Sequence, residues 1–268
     1  MSQTPIKSTK EYKSLGAMLK AGDFEILIKD LTEMKSSGEL KKLSKTTEQS
    51  PISEFDDLLF FFPEYSVVAT KDENGERKLT KELIPRALEL LEFLLENGAN
   101  PNAYMKNGVN TYLKSCEVPN VAILDYLINN PFNKVNLSHT DGMGNTGLLY
   151  ATMSESIDVI DYLVNKCNFN VNEKNILSNN QTVLHYACGN GKEASFDKLI
   201  ELNANPSMKD SDGYKPLDTM LLGYDPDTIE EYMDEPETLQ MWKNFYDRVA
   251  QITTVYEVEH KPKFKTKF

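Results

Sequence analysis

The chain is poor in the residue types that most often carry out chemistry. Its 268 residues include three histidines, three cysteines and one tryptophan. The cysteines are scattered and form no CxxC pair, so neither a disulfide framework nor a zinc site is indicated. No two histidines have helical ligand spacing, and no glycine-rich phosphate loop is present. We therefore expect no cofactor, no metal site and no catalytic residues, which means a protein that is not an enzyme.

Long apolar runs are also missing. The longest strongly apolar stretch, LLFFFP from Leu58 to Pro63, is far shorter than the roughly 18 residues that a membrane helix needs. The first residues, MSQTPIKSTKEYK, lack the apolar core of a secretory signal. We expect no membrane partner and a cytoplasmic location.

Charge is abundant but unbalanced, with a formal net charge of −12. This excess of acid argues against a nucleic-acid partner. Residues 225–237 contain seven acids and no base, whereas residues 261–268 contain four lysines and no acid. Such runs are typical of solvated surface; the alternative is that each one addresses a different partner.

Internal repetition is the strongest positive signal. The phrase GNTGLLYA from Gly144 recurs as NQTVLHYA from Asn180, and more loosely from Gly108 and Gly213, at spacings of 36, 36 and 33 residues. A second phrase has the same period: LLENGANPN from Leu94, LINNPFNKVN from Leu127, LVNKCNFNVN from Leu163 and LIELNANPS from Leu199. Self-similarity at this period predicts a solenoid of stacked helix pairs.

Two of these segments, 142–172 and 178–207, resemble ankyrin repeats, whose pattern is approximately DxxGxTPLHxAxxxGxxxxVxxLLxxGAdvN. The resemblance is good at 87–102 and loose at 106–136. Asn180 stands where the family has glycine, and Thr111, Gly147 and Val183 stand where it has proline. The resemblance implies an all-α fold: an ankyrin-repeat solenoid of about five to six helix pairs, with short hairpin loops and atypical caps at both ends.

The resemblance to ankyrin arrays also implies the domain organisation, and the composition of the last residues sets the tail apart. We expect an N-terminal extension (1–11), an ankyrin-repeat domain (12–252) with an insertion at 64–80, and a basic-aromatic C-terminal tail (253–268). The opening helix pair is predicted at 15–38, the next helices at 52–64 and 81–96 with a hairpin between them, and the closing helix at 238–252. In that helix Trp242 is predicted to pack on the core. The tail alternates lysines with aromatic residues at period two, which predicts an extended strip.

In the ankyrin family, hairpin tips and first helices line a concave face that binds other proteins. On this sequence the implied binding residues are Tyr104, Met105, Lys106, His139, Met153, Asn175, Ile176, Met208 and Lys209. The tail adds Tyr256, Lys263, Phe264 and Phe268. The resemblance gives His185 a structural role, in which its ring hydrogen-bonds a neighbouring loop.

Two functions remain open. The first is a non-catalytic adaptor or scaffold, such as a fixed subunit of a large cytoskeletal or ciliary assembly. The second is a secreted effector that binds and inhibits a target enzyme or signalling protein. Both require another protein as partner, and only the first places the chain in the cytoplasm or on the cytoskeleton.

Overall fold

A computed structural model describes residues 14–43, 53–72, 74–221 and 236–260. They divide into two compact units, unit 1 (Met1–Gly142) and unit 2 (Met143–Phe268). Unit 1 contains α1 (Leu15–Ala21), α2 (Phe24–Ser37), α3 (Leu40–Leu43), α4 (Glu54–Tyr65), β1 (Val67–Lys71), β2 (Arg77–Leu83), α5 (Ala87–Glu96), α6 (Thr111–Glu117) and α7 (Val121–Asn129). Unit 2 contains α8 (Gly147–Met153), α9 (Ile157–Asn165), α10 (Val183–Gly189), α11 (Glu193–Glu201), α12 (Pro216–Thr219) and α13 (Pro236–Glu259). The predominantly helical fold class is therefore confirmed.

The opening helix pair is confirmed at α1 and α2. Ser14 caps α1 by accepting a hydrogen bond from the amide of Ala17, and Gly22 ends it with a left-handed backbone (φ 71°). That conformation costs glycine no Cβ clash, so the chain can reverse within two residues. Phe24 and Leu27 then bury the inner face of α2.

The hairpin expected in the insertion is present as the antiparallel pair β1–β2. Its second strand continues to Leu83, and the amide of Ile84 donates to the carbonyl of Ser66 (2.8 Å). Pro85 disfavours a helical conformation at Ile84, the residue before it. The prediction that the next helix begins at residue 81 is therefore wrong, because α5 begins at Ala87.

The repeated phrases form the first helices of successive pairs. Asn110, Thr146 and Thr182 occupy the same place in the phrase, and each is the N-cap of its helix, α6, α8 and α10. The side chain of Asn110 accepts from the amide of Leu113 (3.0 Å). A side-chain oxygen at this position satisfies an amide of the first helical turn that has no helical partner. The polar residue of the phrase therefore sets where each first helix begins.

The closing helix differs from its prediction. α13 runs from Pro236 to Glu259, so the extended conformation expected from residue 253 is wrong as far as 259, and the expected domain boundary at 252 falls inside a helix. Thr253 is 4% exposed and Val249 is fully buried, so the buried face of α13 continues past residue 252 and favours continuation of the helix.

The core contact of α13 also differs from the prediction for Trp242. Phe245, 2% exposed, packs edge-on against Phe196 of α11 with ring centroids 5.4 Å apart. Trp242 is half-buried and stacks on Tyr246 at 5.2 Å. Phe245 therefore lies in the core, whereas the larger Trp242 stays partly exposed. Residues 261–268 and most of the acidic run lie outside the described residues.

Candidate protein-binding surface

Asparagine side chains connect the loops of successive repeats. In unit 1 the Asn102 Oδ1 accepts from the amide of Asn136 (2.8 Å), and its Nδ2 donates to the carbonyl of Lys134 (2.8 Å). In unit 2 Asn172 makes the same two bonds, to the amide of Asn205 (2.7 Å) and the carbonyl of Asn203 (3.3 Å). Each bond pair satisfies backbone groups of the following loop. The hairpin loops within each unit are thus held in register by asparagine side chains that bind the backbone of the next loop.

The leading position of each repeat phrase has a left-handed backbone. Gly108, Gly144 and Gly213 have φ values of 85°, 77° and 87°, and Asn180 has 56°. Asparagine is among the few non-glycine residues that adopt this conformation readily, which explains its place here. At Gly108 the backbone also passes so close to the next hairpin that a Cβ would lie 2.6 Å from the amide nitrogen of Gly142.

His185 has the structural role that the resemblance implies. Its Nδ1 accepts from the amide of Thr182 (3.1 Å), so its Nε2 carries the proton and donates to the carbonyl of Tyr214 in the next loop (3.1 Å). The ring is 1% exposed, and burial lowers the pKa of His185 below its ordinary value. The neutral imidazole thus joins the start of α10 to the following hairpin.

In unit 1 the structure brings four of the predicted binding residues together. Met105 forms the hairpin turn, with its amide donating to the carbonyl of Val109 (2.9 Å). Lys106 is exposed beside it. Tyr104 is 60% exposed, and its ring lies 5.8 Å from that of His139, whose Nε2 is 2.7 Å from the carbonyl oxygen of Gly108.

In unit 2 the predicted residue Asn175 organises a tip through hydrogen bonds of its side chain. Its Nδ2 donates to the carbonyl of Met143 (3.1 Å), and its Oδ1 accepts from the amide of Leu177 (3.0 Å). A Cβ on Gly144 would lie 3.2 Å from the Cβ of Leu177, so these two loops touch. The side chains that reach solvent are Ile176 (80% exposed), Leu177 (67%) and Met143 (65%).

We call Met143, Ile176 and Leu177 the apolar tip cluster. Sequence reasoning identified Ile176 and missed the other two. A signal was available, because both missed residues are apolar side chains inside turn sequences, GMGN and NILSNN. Apolar residues in predicted turns have no helix face to bury them.

The remaining predicted residues are dispersed. Met153 and Met208 are half-buried, and Lys209 is exposed, with its carbonyl accepting from the Lys174 Nζ (2.5 Å). Tyr256 lies on α13, where its ring stacks on that of His260 at 3.9 Å. Lys263, Phe264 and Phe268 lie outside the described residues. Most of the described binding candidates therefore lie at the hairpin tips, whereas Met153 lies on α8 and Tyr256 on α13.

The part of the chain that the structure describes holds no group of three or more histidine, cysteine, aspartate or glutamate side chains placed to bind a metal ion. Among the same residues no helix is long and apolar enough to cross a membrane. Cys188 of α10 is buried, and burial raises the pKa of its thiol.

Comparison with known proteins agrees with this geometry. A family model described as ankyrin repeats (3 copies) matches residues 84–175, and a model for a single ankyrin repeat matches residues 179–211. A protein of Borreliella burgdorferi that is named as an ankyrin repeat protein is 40% identical over 76 residues. That match covers 28% of this chain and 18% of the relative, so the chain spans under a fifth of the relative's length. The resemblance identified from the sequence is confirmed.

Proposed function

Because this chain carries ankyrin repeats over residues 84–175 and 179–211, we propose that it is a non-catalytic adaptor or scaffold that binds another protein through its hairpin tips. Ankyrin repeats are protein-interaction modules, and the described residues offer a surface of that kind. As an adaptor it would hold a fixed place in a larger assembly.

The observation that carries the proposal is the exposure of the apolar tip cluster. Its three large side chains are 65–80% exposed and lie on two loops that a hydrogen bond from the Asn175 Nδ2 to the carbonyl of Met143 joins. Single exposed apolar residues are ordinary, but several on touching, ordered loops are characteristic of contact surfaces. Ordered loops also lose less conformational entropy on binding than flexible ones.

Unit 1 offers a second candidate contact of similar character. Tyr104 stands 60% exposed beside His139 at the tip of the hairpin that precedes α6. Tyrosine is enriched at the energetically important positions of interfaces because its ring buries area while its hydroxyl keeps a polar partner. We propose the Tyr104 tip as a second candidate contact, confined to unit 1.

Site-specific crosslinking tests the proposal. A photoreactive phenylalanine analogue replaces Ile176 in one variant, Tyr104 in a second and Gln251, an exposed residue of α13, in a control. We expect the first two variants to crosslink the same polypeptide in cells and the control to crosslink none. Equal labelling at all three positions, or no polypeptide adduct at either tip, would refute binding through the tips.

The same experiment separates the adaptor from an inhibitor. An adaptor should be recovered with further polypeptides that its crosslinked partner does not bring down alone. An inhibitor should be recovered with a single partner whose enzymatic activity falls in proportion to complex formation. The second result would replace the adaptor function and leave tip binding intact.

A further inference from the structure

Charge is segregated between the two helices of the pairs α8–α9 and α10–α11 in unit 2. The first helices α8 (GLLYATM) and α10 (VLHYACG) contain no aspartate, glutamate, lysine or arginine. The second helices carry the charge: α9 has two aspartates, and α11 has three acids and Lys198. The net charge of −12 therefore says little about the face formed by α8 and α10.

The side chains of α8 and α10 that reach solvent are uncharged. Tyr150 and Met153 are the half-buried residues of α8, and Tyr186 is the half-buried residue of α10. Tyr150 and Tyr186 hold equivalent places 36 residues apart in the repeat, and α8 packs against α10. Equivalent residues of stacked repeats are neighbours, and α8 and α10 directly follow the loops that carry the apolar tip cluster.

Much of the charge close to the tips is engaged within the fold. The Lys174 Nζ donates to the carbonyl of Lys209 (2.5 Å). Asp210 is 7% exposed, and its Oδ1 accepts from the amides of Asp212 and Tyr214 (both 2.9 Å). Asp212 in turn accepts from the Asn179 Nδ2 (2.5 Å). In the hairpin that carries Ile176 and Leu177, the exposed Glu173 and Lys174 have opposite charges, so this hairpin has no net charge.

The acids of the second helices also have partners within unit 2. The Lys198 Nζ lies 2.7 Å from Asp161, and Arg248 of α13 lies 2.7 Å from Glu193 and 3.4 Å from Asp197. The attraction that an acidic protein would exert on a basic segment is therefore directed to a different set of helices and is partly neutralised there.

We propose that the surface formed by the apolar tip cluster, Tyr150, Met153 and Tyr186 binds an uncharged segment of the partner polypeptide with at least two large apolar or aromatic side chains. This inference rests on the proposed function and names the chemistry of the partner. An uncharged surface gains nothing from charged side chains opposite it and imposes their desolvation cost, so it selects against them. Binding is accordingly insensitive to salt.

A membrane surface is the other apolar target that exposed isoleucine and leucine could meet. Anionic lipid attracts clusters of lysine and arginine, and the face just described has none in its two helices. We therefore assign the surface to a polypeptide segment, and vesicle binding becomes one outcome of the test.

The test uses a phage library of random peptides panned against the full chain, with binding of the enriched peptides measured in about 0.1 M and about 1 M NaCl, where the Debye length falls from about 10 Å to about 3 Å. Ile176→Asp is the test variant. Gln251→Glu on α13 is the control, since it adds the same charge at another exposed position. Flotation with neutral and with anionic phosphatidylcholine–phosphatidylserine vesicles is measured alongside.

We expect enriched peptides that are apolar or aromatic and uncharged, and affinities that change less than about threefold with salt. Ile176→Asp should weaken binding at least about tenfold, the equivalent of losing one buried aliphatic side chain. Gln251→Glu should leave binding unchanged, and Ile176→Val should retain most of it.

Enrichment of basic peptides, a strong salt dependence, flotation lost in Ile176→Asp, or no enrichment would each overturn the inference. These failures can be distinguished from failure of the proposed function. Polypeptide crosslinks at Ile176 together with basic, salt-sensitive peptides would leave tip binding standing and remove only the partner chemistry. Absence of such crosslinks would remove both.

Discussion

Alanine substitution of the repeated glycines tests how tightly the hairpins are packed. At Gly213, with φ 87° and no neighbouring atom within 4 Å of an added Cβ, only the left-handed backbone penalises alanine. That penalty is about 1–2 kcal/mol, reduced by about 0.4–1 kcal/mol because alanine restricts the unfolded chain. At Gly108 the added Cβ also meets the Gly142 amide nitrogen at 2.6 Å. The atoms that this Cβ would meet belong to the backbone of Asp141 and Gly142. The clash can therefore be relieved only by moving a hairpin.

We expect Gly108→Ala to cost about 1–3 kcal/mol more than Gly213→Ala, the usual range for forced overpacking. The same shift should weaken the hydrogen bond from the Gly142 amide to the carbonyl of Asn107 (2.8 Å). Gly144→Ala should fall between the two, because its Cβ would meet side-chain rather than backbone atoms, the Asn175 Oδ1 at 2.5 Å and the Leu177 Cβ at 3.2 Å.

Urea denaturation followed by circular dichroism gives the free energies of unfolding, and equal slopes across the three variants validate the comparison. Hydrogen exchange at the amide of residue 142 reports the local effect. Independent substitutions agree within about 0.5 kcal/mol. If the unfolding free energies of Gly108→Ala and Gly213→Ala differ by less than this, the explanation from close hairpin approach fails.

Burial of individual side chains should determine an unfolding free energy, a pH dependence of stability and an order of thiol labelling. Leu163→Ala should destabilise the protein by about 2–5 kcal/mol in the same assay, because Leu163 is fully buried and leaves a cavity; a cost below about 0.5 kcal/mol would contradict it. Because burial holds the folded pKa of His185 below its ordinary 6.5, only the unfolded chain takes up this proton as the pH falls below that value. Stability should then decline between about pH 7 and about pH 5, more steeply than in His185→Gln. In the folded protein, iodoacetamide should label the half-buried Cys167 before Cys188, whose thiol is buried and has a raised pKa; mass spectrometry of tryptic peptides gives the order.

The repeat phrases predicted the helices well because their signals are local. A cap residue and a left-handed glycine each act within one turn of chain, as Thr182 and Gly22 show. An apolar stripe likewise depends only on residues of a single helix. The start of α5 was predicted six residues too early, because the bond from the Ile84 amide to Ser66 extends the hairpin across 18 residues of sequence. Only the fold brings those two groups together.

The positions of the hairpin tips were predicted from the sequence, but not all of the exposed side chains at them were. Tip positions follow from the repeat period, so Tyr104 and Ile176 could be named as exposed. The period does not say which tip side chain turns inward. Asn175, which was predicted as a binding residue, holds Met143 and Leu177 in place through its side chain. Alternation in the sequence likewise suggested a strand at 253, whereas burial of Val249 and Thr253 favours continuation of the helix.

The asparagines that connect the hairpin loops have a consequence for how such a protein can change. Asn102 and Asn172 recognise the peptide backbone of the next loop, which is the same for every side chain. Loop geometry is therefore uncoupled from the identity of outward residues such as Ile176. Substitution, natural or engineered, can therefore change the outward side chains of the tips while the hydrogen bonds that hold the loops stay the same.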